Sequence, residues 1–82
     1  MESTNNPRRI RQEQLDTLVA AGSVRAVTVE RAPDGWAVRL RLGLAGDAVV
    51  ASHHRPVRIW RHLDTVAAWL QERGVAAFEV RL

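Results

Sequence analysis

Trp36, Val38, Leu40 and Leu42 alternate with Ala37, Arg39 and Arg41 through the middle of the chain, a period of two that belongs to a strand with one buried face. A helix would scatter these apolar side chains around its circumference, so the stretch demands a sheet with one side on a core and one side open. What precedes it demands a hairpin. Ala32, Pro33, Asp34 and Gly35 make a turn in which Pro33 presets φ, Asp34 accepts local hydrogen bonds and Gly35 takes a positive φ. Before the turn, Val24 to Arg31 is rich in β-branched residues, and Val27 and Val29 alternate with Thr28 and Glu30 as in a partner strand.

The remaining elements are read around this hairpin. Met1 to Asn6 is polar and aperiodic, and we expect a flexible tail there. Pro7 suits the first position of a helix and Asn6 its N-cap, which predicts a helix over 7–21 with Leu15, Leu18 and Val19 as its apolar stripe, Ile10 near one edge and Gly22 as its stop. Leu44 to Asp47 reads as a tight connection, and residues 48–52, AVVAS, as a short third strand ended before Pro56. Leu63, Val66, Ala67 and Leu70 share one face of a second helix, preceded a turn earlier by Ile59. Its end at Gly74 is marked by Val75, placed to touch Leu70. Phe78, Val80 and Leu82 then alternate with Ala77, Glu79 and Arg81 as a fourth strand. The expected fold class is α+β in the order α-β-β-β-α-β, a single domain over 7–82 with a four-stranded sheet and both helices on one face. A right-handed crossover would lay the last strand parallel to the first and third, with its edge left open by the sequence. Arg39 and Arg41 fall on the uncovered face.

Composition limits what such a domain does. The chain has 82 residues, enough for one core, and its net charge is +3. All 12 basic residues are arginine, so the positive charge persists at any working pH. The absence of cysteine excludes disulfides and thiolate catalysis and makes a reducing cytoplasm the expected compartment. No apolar run is long enough for a membrane span, and the N-terminal residues carry no secretory apolar region, so no membrane partner is expected.

The charge collects in one place. Between Asp47 and Asp64 there is no acid, while His53, His54, Arg55, Arg58, Arg61 and His62 crowd the approach to the second helix. Arginines are unfavourable at a helix N-terminus, whose dipole is already positive. An anion would resolve the conflict, held by the first-turn N–H groups together with Arg55, Arg58 and Arg61. The alternative is that these side chains spread into water while Asp64 offsets the dipole. Pro7-Arg8-Arg9-Ile10-Arg11 repeats the arrangement at the other predicted helix, and Arg39 and Arg41 add to it if all lie on one side. Trp60 sits among the arginines, weighed as a stacking partner for Arg58, Arg61 or a base against a place in the core or its rim, as for Trp69; Trp36 belongs to the buried stripe. His53 and His54 point opposite ways on an extended chain and no acid or cysteine completes a ligand set, so no metal and no cofactor is expected. With no nucleophile elbow and no glycine-rich phosphate loop, no enzymatic activity is expected either.

Arg58, Trp60, Leu63-Asp64-Thr65, Ala67, Trp69, Leu70, Gly74, Phe78 and Val80 together resemble the C-terminal half of a group of small bacterial proteins described as plasmid partition-associated or plasmid-borne. The resemblance covers residues 58–82 and departs at His62, where that pattern has a capping serine. It implies a role near plasmid or mobile-element DNA maintenance. The order α-β-β-β-α is also similar, at the level of fold alone, to double-stranded RNA-binding domains. The functional expectation is a small non-catalytic module contacting nucleic acid, or an acidic protein, through Arg55, Arg58, Arg61, His54, His62, Trp60, Arg39 and Arg41. The alternative is a protein-interaction or homodimerisation module using the open sheet face or an edge strand such as Phe78 to Leu82.

Overall fold

The computed structural model describes residues 7–82. The elements are β1 (Arg8–Ile10), α1 (Gln12–Ala20), β2 (Ala26–Ala32), β3 (Gly35–Arg41), a 3-10 turn at Gly43–Ala45, β4 (Asp47–Val50), α2 (Leu63–Glu72) and β5 (Glu79–Arg81). They build an α+β domain around one five-stranded sheet in the order β1-β4-β3-β2-β5. The β2–β3 and β3–β4 pairs are antiparallel, whereas β1–β4 and β2–β5 are parallel.

The central hairpin forms as its pattern dictates. Ala32 pairs with Gly35 across Pro33 and Asp34, which places Val29 opposite Val38 and Val27 opposite Leu40. These four side chains, with Ala48 and Val50 of β4, Ile10 of β1, Leu15 of α1 and Val66 and Leu70 of α2, form the buried core. Each large aliphatic group so buried contributes roughly 1.5–3 kcal/mol. Both helices end on glycine in the left-handed region. Ser23 N–H reaches back to the Leu18 carbonyl around Gly22, and Val75 N–H to the Leu70 carbonyl around Gly74, the paired ending that satisfies orphan carbonyls. The Arg73 guanidinium lies over the Trp69 ring and meets Asp16 of α1 at 3.2 Å, tying one helix to the other.

The sequence reading is corrected at the N-terminus. Residues 8–10 are a strand rather than the first turn of a helix, and α1 starts at Gln12 with Arg11 as N-cap. β4 would otherwise leave one edge unpaired. β1 covers it, Ala51 N–H donates to the Ile10 carbonyl at 2.7 Å, and Ile10 is buried in the core. Gln14 then caps the helix by accepting from Arg11 N–H. The expected tail at Met1 to Asn6, and Asn6 as a cap, lie outside the described residues. The sheet therefore has five strands, in the order β-α-β-β-β-α-β, instead of four. The expected parallel placement of the last strand holds, and the edge it joins is that of β2.

β4 does not simply end. Its register sets Val49 opposite Arg39, so Ser52, had the strand run on, would stand opposite Trp36. Trp60 stands there instead. The chain leaves the ladder after Val50, loops out, and returns with Arg58 N–H on the Val50 carbonyl at 2.8 Å and a two-way bridge between Trp36 and Trp60 at 2.7 and 2.9 Å. The approach is close enough that a Cβ on Gly35 would lie 2.0 Å from the Trp60 carbonyl oxygen. The three nearest atoms, Trp60 O and C and Arg61 Cα, are all backbone, so no side chain can swing away to relieve a clash. Gly35→Ala is expected to cost about 3 kcal/mol or more, read as a lowered urea midpoint with tryptophan fluorescence as the signal. Gly46→Ala, where a Cβ meets nothing within 4 Å, carries only the backbone strain of φ +86° and should cost less, about 1–2 kcal/mol.

Candidate functional site

The excursion between Val50 and Arg58 carries the basic residues, and its own hydrogen bonds shape it. Ser52 N–H donates to the Arg55 carbonyl, and Arg55 N–H donates to Ser52 Oγ at 3.1 Å. This reciprocal turn throws His53 and His54 to its tip, where both are exposed, and Pro56 holds Arg55 extended. Because β1 pairs with β4, the turn from β1 into α1 lies alongside. Arg9, Arg11, Gln14, Ser52, His53, His54 and Arg55 line one open cleft of about 510 Å³, and among the described residues no Asp or Glu lines it. A second open cleft, which shares Arg9 and Pro56, continues onto the bare face of the sheet past Arg31 and Arg39.

The residues singled out from sequence thus part company. Arg55 and His54 join Arg9 and Arg11, the two clusters that sequence shows as separate. Arg58 goes elsewhere. Its guanidinium lies 4.5 Å from the centre of the Trp60 ring and 5.4 Å from that of Trp69, and the two rings are tilted against each other with centres 4.9 Å apart. Trp60 is only 5% exposed and belongs to the core, so its ring presents no stacking surface to a base. Arg61 and His62 are exposed at the start of α2, and the His62 side chain makes no capping bond there. Asp64 accepts from Thr65 N–H in the first turn, the carboxylate the helix dipole favours.

The open face is less positive than its arginines suggest. Arg39 is bonded to Glu30 and also faces Asp47 at 3.5 Å. The hydrogen bond that Arg39 donates to the Glu30 carboxylate is the main cause that pushes the Arg39 pKa still higher, against the opposing effect of burial. Arg39 thereby ties β2, β3 and β4 together across the sheet and is largely neutralised. Arg41 remains exposed beside it. Val49 also points to this face yet is 6% exposed, since Pro7, Arg9, Pro56 and Val57 gather around it. The sequence shows Arg9 and Arg11 as a second arginine cluster without placing it beside the first, because the pairing that delivers them leaves no periodic trace in three residues.

Among the described residues no group of three or more His, Cys, Asp or Glu comes together, and no helix is long and apolar enough to cross a membrane. What the fold and cleft define is a small α+β domain with an arginine and histidine notch at one sheet edge. Residues 10–82 match the family model described as ParC-like, and the chain belongs to that family. Neither curated proteins nor solved structures return a match.

The different surroundings of the arginines make them separable by mutation. Arg58→Ala removes a cation from two ring faces and is expected to lower stability by about 1 kcal/mol in urea unfolding. Arg55→Ala and Arg61→Ala, whose side chains project into water, should stay within about 0.5 kcal/mol of the parent.

Proposed function

We propose that the domain is a non-catalytic module that binds nucleic acid by its phosphates through Arg9, Arg11 and Arg55, with His53, His54 and Gln14 as neighbouring donors. The observation that carries this reading is the acid-free cleft at the meeting of the β1–α1 turn and the loop from Ser52 to Pro56. Guanidinium groups gathered without a counter-ion repel one another, and each offers a planar fork of donors that matches phosphate oxygens. Contacts of this kind fix position on a backbone without reading sequence. Ser52, the one hydroxyl among the described residues that line the cleft, accepts from Arg55 N–H and so locks the turn, which supports a binding role over a nucleophilic one. Membership of the ParC-like family, with the resemblance of residues 58–82 to plasmid partition-associated proteins, supports a setting in plasmid or mobile-element maintenance in a bacterial cytoplasm.

Arg58, Trp60 and Arg39 are given structural duties in this reading. Arg61, His62 and Arg41 are exposed and can lengthen the contact, but the affinity rests on the cleft.

Fluorescence anisotropy with labelled duplex DNA, duplex RNA and single strands tests it. For about three phosphate contacts, affinity should fall with a log–log salt slope near −2.7, about 40-fold between 50 and 200 mM. The triple variant Arg9→Ala, Arg11→Ala, Arg55→Ala should lose that binding while its far-ultraviolet circular dichroism stays that of the parent. Binding that survives the triple change would place the contact elsewhere.

A further inference from the structure

We propose that two copies of this chain associate by antiparallel pairing of β5 with β5, in the register that sets Val80 opposite Val80. Among the described residues β5 ends the sheet and is bonded to β2 alone. Its other side carries unpaired backbone donors and acceptors, onto which a further strand can add.

The occupant is argued from charge. Phe78-Glu79-Val80-Arg81-Leu82 is self-complementary about its middle residue. With Val80 on a two-fold axis, Glu79 of each copy stands opposite Arg81 of the other, and Phe78 opposite Leu82. Glu79 and Arg81 are exposed, and neither has an ion-pair partner among the described residues. Val80 is 42% exposed and Leu82 90% exposed, which leaves apolar surface for the second copy to cover. Because Val80 pairs with the fully buried Val29, these apolar side chains lie on the helix-covered side, while Glu79 and Arg81 lie on the bare side.

Other registers fail on the same residues. A slip of two in one direction sets Glu79 against Glu79, and in the other direction Arg81 against Arg81, both repulsive across a ladder. A slip of one brings the charged face of one strand alongside the apolar face of the other. The opposite edge is unsuited to self-pairing, because residues 7–12 carry Arg8, Arg9 and Arg11 and no acid. A second copy on β5 joins two sheets into one continuous sheet, with the helices of both copies on one side and their basic clefts at its two far ends. This dimer is independent of the nucleic-acid reading.

The paired surface is small beside standard interfaces, so association will depend on concentration over about 10 µM to about 1 mM. Sedimentation equilibrium over that range should give a monomer–dimer equilibrium and nothing larger. Glu79→Arg and Arg81→Glu, each tested alone, put like charges opposite one another and should weaken the dimer by about tenfold. An equal mixture of the two variants restores opposite charges between copies, as does the double variant Glu79→Arg, Arg81→Glu, and both should recover the parent's association. A parent that stays monomeric throughout, an association indifferent to the single reversals, or a failure of the mixture and the double variant to recover would each overturn the proposal.

Discussion

The close passage of Gly35 and Trp36 beside Trp60 is the constraint on which the rest of the molecule depends. It closes the ladder that β4 leaves open, and it delivers Trp60 into the core. From there the chain enters α2 at Leu63, already over the sheet. A small domain has little buried surface to spare, and a large aromatic placed by backbone bonds on both sides supplies anchorage that a loop alone would lack. Glycine at 35 is the condition for that contact.

Twelve guanidinium groups on a chain of 82 residues are given quite different work by the fold. Arg39 spans three strands with two carboxylates, Arg73 links two helices, and Arg58 and Arg31 lie on tryptophan rings. These side chains stabilise through contacts that lysine would make poorly, since a planar delocalised cation both stacks and forks. Among the described residues Arg9, Arg11 and Arg55 have no carboxylate or ring partner, and that contrast sets the cleft apart from the other arginines.

The hairpin and α2 were legible in the chain because their signals are local: strict alternation either side of Pro33-Asp34, and an apolar stripe closed by Gly74. β1 was not. Three residues are too few to show a period, and their extended form is imposed by β4, far along the chain; the same residues were equally compatible with a first helical turn. The ties of Arg39 were also hidden, because Glu30 and Asp47 are its diagonal neighbours across two different strand pairs, and only the registers bring them near. Trp60 was legible only as two alternatives. Flanked by Arg58 and Arg61 it could be a stacking aromatic or a core residue, and the strand-like return of the chain selects the core by turning its ring inward. For the site, the sequence displayed two arginine clusters and the acid-free stretch after Asp47; their meeting is tertiary.

The excursion from Val50 to Arg58 has one more implication. It departs from and rejoins a single ladder, so its base is stitched shut whatever lies between. Lengthening a stretch closed in this manner adds only about 0.6 kcal/mol of chain entropy per doubling, and none of the sheet or helix positions need move to accommodate it. The domain is in effect a frame with an exchangeable insert, and evolution or an engineer can rewrite the exposed residues of that insert while leaving the scaffold alone.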